Sequence, residues 1–148
     1  MNQKVISIIY ICLTLVAIGC TLLFFSAWNS GASVENQLHG KFLKNFNIDV
    51  CEINKRKVYI SGWSYIPNQD HTVTKIYAEI QNGKLLPISS NFIIRQDVSK
   101  LFSDGKLYKN SGFQASKRLI NEKNLTKKIF IVTQNENNLS YVAQFVCK

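Results

Sequence analysis

The hydrophobic positions of this chain form two patterns, an unbroken apolar run followed by short strand-like runs separated by turn residues. The run covers residues 5–28, VISIIYICLTLVAIGCTLLFFSAW, and contains no charged residue. About 20 apolar helical residues cross the hydrocarbon core of a bilayer, and the run contains no proline and a single glycine, Gly19. It therefore predicts one N-terminal transmembrane helix, with residues 1–28 as a membrane anchor.

Three other interpretations of the apolar run remain open. A cleaved signal peptide has an apolar region of roughly 7–15 residues, shorter than this one. The tetrapeptide ending at Cys20, AIGC, loosely resembles a lipoprotein signal, but apolar rather than polar residues follow it. A buried core helix is rarely apolar on all sides over such a length. An uncleaved anchor fits the run best.

Beyond a polar tether predicted over residues 29–46, short runs of strand-forming residues are separated by turn residues. Such runs, bounded by Asn, Gly, Pro and Asp, are typical of β-strands. The seven runs are 47–53, 57–66, 73–81, 84–94, 112–119, 128–134 and 139–147. Short strands at this spacing predict an all-β fold, an antiparallel immunoglobulin-like sandwich of about seven strands over residues 47–148.

Two local motifs refine this prediction. The tetrapeptide QNGK at 81–84 predicts a hairpin closed by a type I′ turn, which needs positive φ at both central residues. The segment VSKLF at 98–102 predicts a single helical turn between two strands.

The strand at 58–66, VYISGWSYI, has two unlike faces. One face is aliphatic and is interrupted by Gly62, whereas Tyr59, Trp63 and Tyr65 lie on the other. A glycine inside a strand marks a bulge or the close approach of another group. In one interpretation Trp63 fills the core between two sheets, because large aromatic rings usually supply core area. In the other, the three rings form an exposed ligand platform on which sugars stack.

The four cysteines fall into two groups. Cys12 and Cys20 lie in the apolar run, where we expect them only to pack. Cys51 and Cys147 lie near the two ends of the predicted sandwich. In an exported domain they could form a disulfide that joins the first and last strands.

Arg95 and Asp97 are two residues apart in IIRQDVSKLF, so their side chains point the same way in an extended chain. In one interpretation Arg95 holds an anionic ligand. In the favoured interpretation the two residues form a structural ion pair that braces the end of a strand, since a buried arginine needs a partner.

The order of these motifs resembles a known domain. Ile60-Ser-Gly-Trp-Ser-Tyr65, then Arg95-Gln-Asp-Val98, then Ser111-Gly-Phe113 and a final strand are similar to the small β-sandwich domain of bacterial cell-envelope membrane proteins, often attached to proteins of surface-glycan assembly. The resemblance covers about residues 47–147 and implies a sandwich in the cell envelope. It implies no enzymatic activity.

The candidate chemistry is sparse. The chain has no Gly-rich phosphate loop, no His-Glu-x-x-His motif and no Gly-x-Ser-x-Gly motif. Its two histidines, His39 and His71, are far in sequence from the cysteines, which disfavours a metal site. We therefore expect neither an enzyme nor a bound cofactor.

Charge and the anchor together define the class of partner. The net charge is +9, and the first 34 residues contain a single charged side chain, Lys4. Because the charges are dispersed along the chain, the favoured interpretation is a solvated surface. In the other interpretation the basic surface favours anionic partners, but an exported domain rarely meets nucleic acid. Lys4 on the short side favours an N-terminus inside and a C-terminal domain outside the bacterial cytoplasmic membrane.

The resulting hypothesis is a membrane-anchored extracytoplasmic accessory module that contacts an envelope protein or an anionic glycan. The alternative is a structural subunit of an envelope assembly or appendage that oligomerises through its N-terminal helix.

Overall fold

The computed structural model describes residues 3–29, 32–119 and 124–148, and it divides into two compact units, 1–31 and 32–148. In the first unit, helix α1 spans Gln3–Asn29. Among the described residues, α1 is the one helix that is long enough and apolar enough to cross a membrane. The span covers Gln3–Ala27 and has a mean hydropathy of 2.6.

The polar side chains of α1 are satisfied inside the helix. The hydroxyls of Ser7, Thr14 and Thr21 donate to the carbonyl oxygens of Gln3, Tyr10 and Ala17, each four residues earlier, at 3.1, 2.8 and 2.7 Å. These bonds remove exposed donors from the helix surface, as a hydrocarbon environment requires.

The second unit is all-β with one short helix, which confirms the predicted fold class. Its elements are β1 Lys41–Phe42, β2 Phe46–Ile53, β3 Lys57–Ser64, β4 Thr72–Ile80, β5 Leu85–Ile93, α2 Gln96–Ser103, β6 Gly112–Arg118, β7 Leu125–Asn135 and β8 Ser140–Val146. The seven predicted strands correspond to β2–β8, and the predicted helical turn extends to the full length of α2.

The eight strands form one curled sheet in the order β1-β8-β7-β4-β5-β6-β3-β2. Apart from the parallel pair β1–β8, neighbouring strands are antiparallel. Strand β5 pairs with β4 through Leu85–Ile88 and with β6 through Ser89–Ile93. It therefore passes from one layer, β1-β8-β7-β4, to the other, β6-β3-β2.

The main core consists of buried aliphatic and aromatic side chains contributed by both layers. Val58 and Ile60 of β3, Ile76 of β4, Phe113 of β6 and Ile131 of β7 are at most 1% exposed. Along β3, fully buried residues alternate with less buried ones, because successive side chains of a strand point to opposite faces.

The structure corrects the predicted tether over residues 29–46. The residues from 32 onward belong to the β unit, and within them β1 pairs with β8 and Val34 forms an isolated bridge with Leu85. Leu43 is 1% exposed and joins the main core. This largely polar segment is held by a few backbone hydrogen bonds and by one buried apolar side chain, Leu43. Contacts of this kind leave no periodic pattern in the sequence.

The predicted disulfide is present. Cys51 of β2 and Cys147, just after β8, are bonded with their Cα atoms 5.7 Å apart and 96 residues apart in sequence. Because the layers are joined through β5 on the other side, this bond closes the seam between the two ends of the curled sheet.

The hairpin at 81–84 forms, but its turn differs from the prediction. Gly83 takes a φ of +79°, whereas Asn82 is not among the residues with positive φ. The N–H of Gly83 donates to the carbonyl of Ile80 at 2.8 Å, and the N–H of Ile80 donates to the carbonyl of Lys84 at 2.8 Å. One glycine at the end of a wider turn is enough, so the type I′ turn is not needed.

Candidate functional site

The crossing of β5 between layers opens a cleft. β4 pairs with β5 only through Ile76–Glu79, and β5 leaves its neighbour after Ile88. Beyond this point, Thr72–Lys75 of β4 still pair with β7 and Ser89–Ile93 of β5 pair with β6. Each segment therefore has a paired strand on one side only. In the described part of the chain, no strand pairs with the two edges that face each other across the gap.

The cleft has a volume of about 440 Å³ and a mixed lining. Phe113 lies at its base and belongs to the main core. Val73 and Phe92 line its walls and are 61% and 74% exposed. Such large exposed apolar side chains beside unpaired strand edges are typical of a protein-binding surface.

Buried hydroxyl groups lie below the cleft. Ser64 of β3, which is fully buried, shares hydrogen bonds with Thr133 Oγ1 of β7 at 2.8 Å and Thr74 Oγ1 of β4 at 2.9 Å. These bonds connect the two layers and satisfy each hydroxyl, which would otherwise be costly to bury. Ser90 Oγ donates to the carbonyl of Thr74 at 3.1 Å, so a side chain bridges the narrow end of the gap.

The mouth of the cleft carries polar residues from three loops, among them Asp70, His71 and Glu136. Asp70 Oδ1 accepts a hydrogen bond from the N–H of Tyr108 at 3.1 Å, and the Tyr108 hydroxyl accepts one from the N–H of Asn68 at 2.9 Å. Asp70 therefore fastens one loop to another. His71 is exposed beside it.

The structure corrects the predicted ligand platform. Tyr65 is only 8% exposed and stacks on Tyr108 with the ring centroids 4.1 Å apart. Trp63 is half-buried and lies 5.8 Å from Tyr65 and 5.5 Å from Phe102 of α2. The rings form an outer aromatic cluster, Trp63, Tyr65, Phe102 and Tyr108, which α2 and the following loop cover.

Tyr59 is not part of this cluster. It is half-buried near the start of β3, and its hydroxyl accepts a hydrogen bond from Gln114 Nε2 of β6 at 3.0 Å.

Burial within the outer aromatic cluster raises the pKa of Tyr65, with a smaller contribution from Tyr108. Trp63 is thus neither part of the main core nor a free stacking surface.

Close packing explains why a glycine, Gly62, precedes Trp63 in β3. A Cβ atom at this position would lie very close to the carbonyl oxygen of Asn47 and 3.1 Å from Phe113 Cζ. The register of β2 shifts between Ile48 and Val50, so β2 bulges toward β3 at this point. The close backbone approach at a bulge requires the residue without a side chain.

The predicted ion pair of Arg95 and Asp97 is present, and Asp49 joins it. Arg95 Nη2 lies 2.7 Å from Asp97 Oδ2, and Arg95 Nη1 lies 2.5 Å from Asp49 Oδ2 in the bulge of β2. The aliphatic part of Arg95 occupies the space over Gly112. Arg95 therefore connects β2, the first turn of α2 and the start of β6, and it positions the helix that covers the outer aromatic cluster.

Charge pairing determines the ionisation of this group. The hydrogen bonds from Arg95 lower the pKa of Asp97 to about 2, and the same contacts raise the pKa of Arg95. Asp97 also lies in the first turn of α2, where a negative charge is favourable. Both groups stay charged across the physiological range, and both charges are already paired.

The residues described by the structure contain no group of three histidine, cysteine or acidic side chains arranged to hold a metal. His71 is grouped with Asp70 and Glu136 only at the open mouth of the cleft.

Sequence reasoning missed the cleft. The segment 84–94 reads as one strand, and nothing in an alternating pattern shows which strand lies beside each half of it. The run Ser89-Ser90-Asn91, which interrupts the apolar positions of β5, is the one signal that could have marked the crossing.

No protein-family model matches this chain, and no curated protein matches it. Among solved structures, it is similar to a chain of the archaellum periplasmic stator protein complex FlaF and FlaG from Sulfolobus acidocaldarius, with 16% identity, 77% of this chain and 99% of that chain covered, and a TM-score of 0.35. A TM-score this low does not establish a shared fold.

Proposed function

We propose that this protein is a membrane-anchored extracytoplasmic accessory module, without catalytic activity, that binds a protein partner through the cleft between β4 and β5. The observation that carries this proposal is the pair of unpaired strand edges flanked by exposed Val73 and Phe92. An extended segment of the partner adds to an open strand edge by backbone hydrogen bonds, and its side chains use the apolar walls.

The backbone of β4 is oriented for such pairing. The carbonyl of Thr74 points into the gap, because it accepts the hydrogen bond of Ser90. Backbone groups of alternate strand residues point to the same side, so the N–H and C=O of Thr72 face the cleft as well. Those of Val73 face β7, with which Val73 pairs at Gln134.

The anchor and the disulfide support the location. Helix α1 is long and apolar enough to hold the chain in a bilayer. A disulfide between Cys51 and Cys147 persists in oxidising compartments and is rare in the cytosol. We therefore propose that the β unit lies outside the cytoplasm and that the N-terminal side of α1 lies inside.

Photo-crosslinking of the full-length chain in its native membrane tests this function. A benzophenone amino acid replaces Phe92, and a matched chain carries it at Phe42, another exposed phenylalanine outside the cleft lining. We expect a discrete heterologous band from position 92 and none of that mass from position 42.

A proline variant sharpens this test. Thr72→Pro removes a donor that faces the cleft, at the first residue of β4, where proline is tolerated. We expect it to reduce the position 92 band at least threefold without changing the amount of folded protein. An identical band from both positions would contradict binding in the cleft, and a ladder of self-crosslinked chains would favour the oligomeric structural subunit.

A further inference from the structure

The basic side chains of the β unit concentrate at one of its ends. Strand pairing places Ile53 beside Val58, Lys57 beside Arg118, Ile80 beside Leu125 and Lys128 beside Val146. The disulfide joins the two layers at the same place. We call this surface the basic end, made of residues 52–57, 79–84, 117–119, 124–128 and 147–148.

Both layers contribute exposed cations to the basic end. The layer with β3 supplies Lys55, Arg56, Lys57 and Arg118, and the other layer supplies Lys84, Lys127, Lys128 and Lys148.

The acidic side chains described at this end are few. Glu52 lies 2.7 Å from Lys57, and Glu79 lies 3.5 Å from Lys128. Lys55, Lys84 and Lys127 form no ion pair with a described residue.

The opposite end of the β unit is electrically mixed. It carries α2 and the mouth of the cleft, and cations such as Lys100 and Lys106 share it with five acidic residues, namely Asp49, Asp70, Asp97, Asp104 and Glu136. The excess positive charge of the unit is therefore directional, unlike a uniformly solvated basic surface.

The chain enters the β unit at the basic end. The N–H of Val34 donates to the carbonyl of Leu85 at 2.8 Å, and the N–H of Leu85 donates back to Val34 at 2.8 Å. Leu85 begins β5 and directly follows Lys84. Val34 is five positions after Asn29, the last residue of α1, and five steps along a fully extended chain span at most about 18 Å.

We propose that the basic end binds the anionic phospholipid headgroups of the membrane that holds α1. This inference rests on the membrane anchoring in the proposed function. Lysine acts as a compact point charge that needs no precise partner geometry, which suits a fluid array of phosphates. The attraction acts within a Debye length of about 10 Å, and a short connection keeps the local lipid concentration high. The cleft lies at the opposite end, so it stays available to a partner.

Lysine footprinting of the full-length chain in nanodiscs tests this proposal. One set of nanodiscs contains phosphatidylcholine alone, and the other contains equal parts of phosphatidylcholine and phosphatidylglycerol. An amine-reactive reagent and mass spectrometry measure labelling at Lys55, Lys84 and Lys127, with Lys100 and Lys106 as internal controls at the opposite end. We expect labelling at the basic end to fall at least threefold in the anionic nanodiscs and to recover at high salt, with the controls unchanged.

Matched charge reversals separate a local from a general charge effect. In Lys55→Glu/Lys127→Glu we expect Lys84 to lose its protection. In Lys100→Glu/Lys106→Glu, which changes net charge equally at the other end, we expect Lys84 to stay protected. The β-sheet circular dichroism of both variants verifies folding.

Three results would overturn the proposal: equal labelling of Lys84 in both lipid mixtures, equal protection at both ends, or protection by a soluble anionic polysaccharide in neutral nanodiscs with none from phosphatidylglycerol. The first of these together with a persistent Phe92 cross-link would remove lipid binding and leave the proposed function standing. Protection of Lys84 in the anionic nanodiscs without a cross-link from position 92 would support lipid binding and contradict the proposed function of the cleft.

Discussion

The two faces of β3 bury their side chains in different ways. On the inner face, Val58 and Ile60 meet side chains from both layers and are at most 1% exposed. On the outer face, Trp63, together with Tyr65 just after the strand, packs against one short helix and one loop. The aromatic side chains are larger than the aliphatic ones, yet they occupy the less enclosed environment.

This difference shows that ring size alone does not assign a residue to a core. A core position needs neighbours on every side, which the second layer supplies only to the inner face. The outer aromatic cluster depends instead on α2, whose position depends on Arg95 and its two carboxylate partners. Packing across the whole β unit should therefore stabilise the inner face, whereas only a few local contacts stabilise the outer face.

The largest expected effect concerns the seam that encloses the inner face. Cys51→Ala/Cys147→Ala should lower the free energy of unfolding by about 4 kcal/mol, because a loop of nearly 100 residues is no longer closed in the unfolded chain. Urea unfolding of the full chain in mild detergent, followed by β-sheet circular dichroism, measures this change. A loss below about 1 kcal/mol would show that the inner face holds its structure without the bond.

The next effect compares the two faces directly. Ile60→Ala should destabilise the β unit by about 3–4 kcal/mol, as truncation of fully buried aliphatic residues does. Trp63→Ala should cost only about 2 kcal/mol, since the ring is half-buried and loses two aromatic neighbours. The same unfolding assay measures both. Equal or reversed values would contradict the distinction between the faces.

The smallest expected effect is a dependence of stability on pH at the contact that positions α2. The pKa of Asp97 is about 2 in the folded protein and about 4 in an unfolded chain. Its pairing with Arg95 therefore stabilises the fold fully above about pH 4, and this contribution is lost as the pH falls toward 2. The urea midpoints of the wild type and Asp97→Asn should converge over that range. A constant difference between them would mean that the pair makes no pH-dependent contribution.

The strands were predictable because short runs of strand-forming residues are separated by turn residues, and in β3 burial of one face also produces a period-two pattern. β3 alternates completely over Val58–Ser64, and its bounds differ from the prediction only where Tyr65 and Ile66 leave the strand. β1 was not predictable, since two exposed residues, Lys41 and Phe42, carry no period. The ion pair of Arg95 and Asp97 followed from local spacing, but Asp49 is 46 residues away and only the bulge of β2 brings it near.

The amino-acid sequence by itself determined the apolar helix, the all-β class and the pair of cysteines that close the seam, because each of these depends on composition or on a short period. The tertiary structure alone decided which side of β3 meets the second layer, where β5 changes neighbours to open the cleft, and that the basic residues of five separate segments share one end. These features depend on strand order, and a local pattern contains no information about which distant strand becomes a neighbour.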